Sequence, residues 1–205
     1  MGFILGYQCG DESFLAADTL KLLSCSQMFD INSRQAKIQK FKNVVIAYVG
    51  EYKLFYKFVN EINPNDFPCP LTKEFILKEL YPKYVNFLVE NDAATIKSYV
   101  VVDAVFELMI MEGNKIYDIG PSCVDLVCNL NASGENYNVF QAYKGYDKKL
   151  SGIDMLKAIF KEANCILSES KYPFIVYKSN TSELLVFYED GSIETTEISS
   201  CWEEL

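Results

Sequence analysis

The chain contains no histidine among its 205 residues, and this absence limits the chemistry that its side chains can perform. Ser-His-Asp and Cys-His catalysis, histidine-ligated metal sites and the usual proton shuttle near neutral pH all require an imidazole. A catalytic base would have to be a lysine, a carboxylate or an amino terminus. The candidate nucleophiles are hydroxyl or thiol groups that such a base could activate.

The seven cysteines follow neither a metal-binding nor a disulfide pattern. Their number is odd, no Cys-x-x-Cys pair occurs, and Cys123 and Cys128 are five residues apart, which is not a zinc-knuckle spacing. We interpret them as free thiols of a reducing, cytoplasmic compartment. Cys9 is an early thiol, but no base stands out beside it, so a reactive thiolate is not favoured. The sequence predicts no metal and no cofactor.

Charge argues against nucleic acid as a partner. The formal net charge is −9, and only Arg34 among the 19 basic residues is an arginine. An acidic surface repels a phosphate backbone, and arginine is the preferred residue for bidentate contacts with phosphate and guanine. No apolar run approaches the length of a membrane span, and the N-terminal segment lacks the basic region of a signal peptide. We therefore predict a protein that binds neither nucleic acid nor membrane.

The first half of the chain predicts short strands followed by two helices. The predicted strands are residues 3–8, 13–17, 20–26, 36–40 and 43–49, with a polar loop over 27–35. Apolar residues recur at spacings of three and four over 51–62 and 71–90, which predicts amphipathic helices. Pro82 is expected to kink or split the second helix.

The first of these helices carries an aromatic-rich strip. Its members are Tyr52, Phe55, Tyr56, Phe58 and Val59. The strip is either a core face or, because aromatic residues occur on more than one side of the helix, a contact surface for another subunit.

The second half predicts more strands, two helices and a last group of strands. The predicted strands are residues 100–111, 115–119, 123–130, 174–178, 184–188 and 192–197, and the predicted helices are 136–146 and 151–168. Residues 100–111 are rich in β-branched side chains and predict a central strand, whereas 132–135 predict a small-residue turn. Because each sheet face must be covered, this order favours an α+β fold with two stacked antiparallel sheets between two helical layers.

Several motifs, taken in order, resemble a known family. The opening GFILGYQCGDESFLAAD has an early Gly6, a Gly10-Asp11 turn and the strand end Leu15-Ala16-Ala17-Asp18. Later matching places are Lys37-Ile38, the strand 44–49 followed by Gly50, the hairpin 111–117 and Ala132-Ser133-Gly134. This order is similar to that of proteasome β-type subunits and the bacterial proteasome-like peptidase, which are N-terminal-nucleophile hydrolases. The resemblance implies a four-layer αββα sandwich, formed by one domain over residues 1–205.

The resemblance also implies a mechanism whose nucleophile is missing here. In active members the first residue, usually threonine, attacks with its side-chain oxygen, and its own amine acts as the base. An aspartate and a lysine set the charge around it. Counting back sixteen residues from Asp18 places Gly2 at the nucleophile position. Glycine has no side chain, and whether Met1 is removed or retained, no useful nucleophile is expected there.

The matching positions would form a vestigial cleft. Its predicted members are Gly2, Asp18, Lys37, Ser133 and Ser170. Ser170 falls at the family's later serine, while Leu167 stands at the family's late aspartate, with Glu169 nearby. Asp18 and Lys37 either flank the cleft or form an internal ion pair kept for stability, and the second interpretation is favoured. Ser133 would line the cleft or serve turn geometry alone.

We therefore predict a catalytically silent proteasome-like subunit that acts through self-assembly, as a ring or dimer, or through binding another protein. Loss of the nucleophile of a hydrolase lowers its rate by roughly 10⁶-fold, so turnover by the family mechanism is not expected. One alternative is a peptidase or amidase with a non-standard nucleophile such as Ser133 or Cys9. Another is a regulator that docks on a protease ring.

Overall fold

The computed structural model describes residues 2–19, 37–134, 150–166, 172–179, 181 and 183–198. The strands are β1 Phe3–Cys9, β2 Glu12–Asp18, β3 Ile38–Lys40, β4 Val45–Gly50, β5 Ala94–Lys97, β6 Val100–Ala104, β7 Phe106–Glu112, β8 Lys115–Ile119, β9 Val124–Leu126, β10 Leu130–Gly134, β11 Phe174–Lys178, β12 Glu183–Phe187 and β13 Ile193–Glu197. The α-helices are α1 Tyr52–Ile62, α2 Lys73–Phe75, α3 Tyr81–Glu90 and α4 Gly152–Ile166. A short 3₁₀ turn, Pro64–Asp66, follows α1.

The strands form two main antiparallel sheets and one separate hairpin. The first sheet has the order β10–β1–β2–β11–β12–β13, and the second has the order β3–β4–β7–β8–β9. Strands β5 and β6 pair only with each other among the described strands. The hairpins β1–β2, β3–β4 and β7–β8 lie where the sequence predicts them.

Three apolar clusters hold these elements in four layers. One cluster joins the second sheet to α1 and α3, another lies between the two sheets, and the third joins the first sheet to α4. Strand β1 serves two of them, because side chains alternate across a strand: Phe3 and Leu5 pack toward α4, whereas Ile4 packs toward the second sheet. The predicted α+β sandwich, with two sheets between helical layers, is confirmed.

Pro82 does not split the second predicted helix. The helical turn α2 continues into a π-helical turn, Ile76–Leu80, and then into α3. In a regular α-helix the proline ring clashes with the carbonyl group four residues earlier. Here the N–H of Tyr81 donates to the carbonyl of Ile76, a spacing of five residues. This wider turn directly before the proline lets the helix continue through it.

The predicted central strand 100–111 is wrong in its extent. It consists of β6, which belongs to the separate hairpin, and β7, which lies at the centre of the second sheet between β4 and β8. The break falls at Val105, whose carbonyl accepts a hydrogen bond from the N–H of Glu51 at 2.9 Å. The hairpin turn at Ser98 and Tyr99 has positive φ angles of 50° and 68°, but no glycine in the sequence marks it.

The predictions for residues 123–130 and 132–135 are also wrong in part. The first range contains β9, which pairs with β8 in the second sheet, and it ends at the first residue of β10, which pairs with β1 in the first sheet. The chain therefore passes from one sheet to the other between Leu126 and Leu130. As a consequence, Ser133 lies within β10 opposite Ile4, not in a turn.

Some predicted elements lie outside the described residues. These are the strand 20–26, the loop 27–35, the helix 136–146 and the last two residues of the helix 151–168. Of the helices that are described, none combines the length and the apolar composition that crossing a bilayer requires.

The aromatic strip of α1 divides between the core and the surface. Phe55, Phe58 and Val59 are buried in the cluster between α1, α3 and the second sheet. Tyr52 and Tyr56 are half-buried, with ring centroids 6.0 Å apart. Phe55, Phe58 and Val59 therefore belong to a core face. For Tyr52 and Tyr56, contact with another subunit stays a prediction.

Candidate functional site

The fold brings Gly2, Asp18 and Lys37 together at one end of the two sheets. Gly2 directly precedes β1, Asp18 ends β2, and Lys37 directly precedes β3. Strands β1 and β2 are antiparallel, with Ile4 opposite Ala17, so the start of one strand lies beside the end of the other. All three residues are buried.

Asp18 and Lys37 form a buried ion pair. The ammonium nitrogen Nζ of Lys37 lies 2.6 Å from Oδ1 of Asp18, and the exposed fractions of the two side chains are 5% and 1%. The backbone N–H of Phe3 donates to the same oxygen at 2.7 Å. Burying two charges is costly, and the additional hydrogen bond from Phe3 helps to offset that cost. Through this bond the pair also fixes the start of β1.

This ion pair occupies the space in which a side chain at position 2 would begin. An ideal Cβ atom built on Gly2 lies 2.0 Å from Oδ1 of Asp18, 2.4 Å from its Oδ2 and 2.3 Å from Nζ of Lys37. These distances are far below van der Waals contact, so any residue larger than glycine would have to displace the pair. The absence of a side chain at Gly2 therefore leaves space for the ion pair, and it also means that this position has no nucleophile.

The backbone of β10 closes the site from the other side. Gly134 has a φ angle of +105°, and an ideal Cβ on it lies 2.3 Å from the carbonyl oxygen of Gly2 and 3.1 Å from Cα of Phe3. Only glycine tolerates both the backbone conformation and this close approach. The small-residue motif 132–134 is thus explained by strand packing against Gly2 and not by turn chemistry.

Ser133 is directed at the carboxylate of Asp118 and not at the Asp18–Lys37 pair. Its hydroxyl donates to Oδ1 of Asp118 at 3.2 Å. The side-chain amide of Asn131 donates to the other oxygen of Asp118. Asp118 is buried, Glu107 is half-buried, and burial raises the pKa of the Glu107 carboxyl above its usual range, with the charge of Asp103 adding to the effect.

These carboxylates line a cavity of about 690 Å³ beside Gly134. Asp103 and Asp125 lie exposed on its lining, while Phe106 and Ala132 supply buried apolar surface. Among the described residues, no lysine or arginine lines this cavity. Nor do any three imidazole, thiol or carboxylate groups of the described chain come together as a metal-binding cluster.

The other predicted candidates lie elsewhere. Cys9 is half-buried at the far end of β1, about 24 Å from Gly2 at a rise of about 3.4 Å per residue. Ser170, Leu167 and Glu169 lie outside the described residues. The five cysteines in the described part of the chain, Cys9, Cys69, Cys123, Cys128 and Cys165, are free thiols.

Sequence reasoning did not single out Glu107, Asp118 or Asn131. The available signal was weak but present: Glu107 and Asp118 are acidic residues within the mainly apolar strands FELMIME and KIYDI. A carboxylate among core residues is rarely buried without a specific role or partner. Their grouping still requires the crossing between sheets that places β10 beside these strands.

Replacing Glu107 by glutamine is expected to stabilise the fold at neutral pH. The raised pKa means that the native state binds the Glu107 proton more tightly than the unfolded chain does, so the carboxyl lowers stability progressively as the pH rises from its unfolded-state pKa to its native pKa. The gain from Glu107→Gln should therefore be absent at the acid end, grow between these two pKa values and level off above the native one. Urea unfolding of both proteins at several pH values measures it. A constant difference across this range would contradict the inferred desolvation.

Comparison with known proteins identifies similar solved structures. No protein-family model matches the chain, and a search of curated proteins finds no match either. BPH from Thiobacillus denitrificans has a TM-score of 0.61 at 14% identity, over 86% of this chain and 96% of that one. The structure of BPH in complex with epoxomicin has a TM-score of 0.57 at 11% identity, over 86% and 97% of the two chains. At this identity the likeness establishes the fold alone, which is proteasome-like.

Proposed function

We propose that this protein is a catalytically silent subunit with a proteasome-like fold, which acts by self-assembly or by binding another protein. The observation that carries this proposal is the geometry around Gly2. The position that the resemblance assigns to the nucleophile has no side chain, and the Asp18–Lys37 pair fills the volume that one would need. The family mechanism therefore lacks its attacking oxygen, and a side chain at position 2 would first have to shift the Asp18–Lys37 pair.

The alternative nucleophiles are poorly placed for acyl transfer. Such a reaction develops negative charge on an oxyanion, which active sites stabilise with hydrogen-bond donors or cations. The Ser133 hydroxyl donates instead to the carboxylate of Asp118, in a cavity that Glu107 also lines and whose described lining has no lysine or arginine. Cys9 is close to the other end of β1, with no described lysine or carboxylate paired to its thiol. Burial raises the pKa of neighbouring Tyr7 to about 12, so this phenol is a poor base for it.

Covalent labelling tests the absence of turnover. We expect that prolonged incubation with epoxomicin leaves the intact mass of the protein unchanged, because position 2 offers no side-chain oxygen. The same spectrum, combined with N-terminal identification, defines the first residue of the mature protein. A stoichiometric adduct on one residue, abolished by Ser133→Ala or Cys9→Ala, would replace this proposal with the enzymatic alternative. A mature chain that begins at a serine, threonine or cysteine seated in the cleft would do the same.

Light scattering tests self-assembly. The surfaces on which we expect contacts are the half-buried tyrosines of α1 and the β5–β6 hairpin. That hairpin exposes Ile96, Tyr99, Val100 and Val102 to solvent. Exposed apolar groups of this kind often mark interaction surfaces. We expect a mass of at least twice 23.4 kDa at concentrations near 100 µM, which is well above a dissociation constant of about 1 µM. A strict monomer would leave binding to a different protein, such as a protease ring, as the remaining form of the proposal.

A further inference from the structure

The β5–β6 hairpin combines exposed apolar side chains with open strand edges. Among the described strands, β5 and β6 pair only with each other, so no third strand covers the outer edge of either. An edge of this kind is a template for pairing with another chain, unless a charged residue on it opposes that pairing. Strand β5 carries Lys97, whereas β6 begins with three consecutive valines, residues 100–102. The edge of β6 is therefore the one that favours a further strand.

The turn of this hairpin presents an aromatic side chain in a strained backbone conformation. Lys97 pairs with Val100, so Ser98 and Tyr99 are the two central residues of the turn, and both have positive φ angles. Such a type I′ turn favours Asn-Gly. The Tyr99 side chain is fully exposed, so it gains no burial within its own chain to offset this strain. Strained positions cluster at functional sites, and tyrosine is enriched at protein interfaces.

We infer, building on the proposed self-assembly, that two copies of this chain associate through β6, which pairs antiparallel with β6 of the second copy. In this pairing Val100 lies opposite Asp103 of the second copy. Val101 then lies opposite Val102 of the second copy, and the two hairpins form one four-stranded sheet. Tyr99 extends over the base of the second hairpin, where its ring is covered.

Charge complementarity favours a second copy as the occupant of this edge. Lys97 lies directly opposite Val100 on β5, and Asp103 of the second copy lies opposite Val100 on its other side, so these side chains share one face. Two strand spacings, roughly 10 Å, separate Lys97 from that aspartate, and both side chains extend into the gap. Neither Lys97 nor Asp103 has an ion-pair partner in the part of the chain that the structure describes. The two-fold symmetry forms the contact twice, which offsets the repulsion between two chains of net charge −9.

A charge reversal divided between two variants tests this pairing. Lys97→Glu and Asp103→Lys each bring like charges together twice in a homodimer. Each should raise the dissociation constant about tenfold, as measured by sedimentation equilibrium. An equimolar mixture of the two variants restores opposite charges at both contacts, so it should associate within about threefold of the wild-type affinity.

General charge effects predict a different pattern. Asp103→Lys makes the chain less negative, so general repulsion alone would strengthen its association. Lys83→Glu is the matched control for Lys97→Glu, because Lys83 is an exposed residue of α3 outside the hairpin. It makes the same change in charge and should leave the dissociation constant unchanged.

The turn provides a variant that does not depend on charge. Ser98→Asn/Tyr99→Gly installs the residues that a type I′ turn favours, so the protein should unfold at the same or a higher urea concentration than the wild type. It should nevertheless associate at least tenfold more weakly, because the exposed ring is lost.

Four results would each overturn the inference: a wild-type protein that stays monomeric near 100 µM, single charge variants that associate as the wild type does, a mixture that does not recover, and full association of the Asn-Gly variant. Labelling with epoxomicin does not depend on association. Such a failure therefore leaves the silent-subunit proposal standing, and an adduct in the labelling experiment leaves the hairpin contact standing.

Discussion

Replacing Asp18 by alanine is expected to lower the free energy of unfolding by about 3–5 kcal/mol, the typical cost of breaking a buried ion pair. The Lys37 side chain is only 5% exposed and would lose its carboxylate partner, and the N–H of Phe3 would lose its acceptor. Urea unfolding followed by circular dichroism measures the loss. The start of β1 should loosen at the same time, which amide hydrogen exchange near Phe3 would report.

A double-mutant cycle assigns this loss to the pair. Lys37→Met keeps the apolar stem and leaves Asp18 its hydrogen bond from Phe3, so it should cost less than Asp18→Ala. The double variant should be more stable than the sum of the single losses implies, with a coupling of roughly 1–3 kcal/mol. Glu74→Ala is the control, because its pair with Lys78 is highly exposed. It should change stability by no more than about 0.5 kcal/mol. An Asp18→Ala loss as small as the control would show that the pair does not stabilise the fold.

The parts of the fold that the sequence predicts correctly are those set by local chemistry. The Gly10-Asp11 and Gly113-Asn114 turns join strands whose residues favour extended structure, so the hairpins β1–β2 and β7–β8 follow from neighbouring residues. Helix α1 likewise follows from its apolar periodicity. Each of these signals is contained within about twenty residues.

The errors arise where distant packing decides the outcome. Residues 100–111 are mainly β-branched or apolar, yet this range contains both an exposed hairpin strand and a core strand. The division occurs because the chain turns at Val105 to meet the start of α1. Similarly, the crossing from β9 to β10 depends on a pairing between β10 and β1 across more than a hundred residues. Neither event leaves a periodic signal in the sequence.

In the candidate site, too, some residues could be predicted from the sequence and others could not. Gly2, Asp18 and Lys37 follow from the family resemblance, which supplies the spacing that periodicity alone does not. The resemblance also assigns Ser133 to the site by its position in the sequence, but it does not predict that the Ser133 hydroxyl donates to Asp118. The acidic cavity has no counterpart in the motif argument, because its carboxylates come from separate strands and loops.

Gly134→Ala tests whether β10 is held tightly against Gly2. An alanine there would have its Cβ 2.3 Å from the carbonyl oxygen of Gly2 and 2.9 Å from Cγ2 of Val49, at a φ of +105°. Positive φ costs a non-glycine residue roughly 1–2 kcal/mol, and overpacking costs about 1–3 kcal/mol more. We therefore expect a loss of about 2–5 kcal/mol in the free energy of unfolding, measured in urea, together with faster amide exchange at Phe3.

Gly113→Ala separates the two contributions to this loss. Gly113 also has a positive φ, +53°, but nothing lies within 4 Å of its ideal Cβ, so alanine there meets backbone strain without steric conflict. It should therefore cost only about 1–2 kcal/mol. If Gly134→Ala costs no more than Gly113→Ala, the backbone around Gly2 can move apart. The close approach of β10 to the Gly2 carbonyl would then not be what holds the two strands in place.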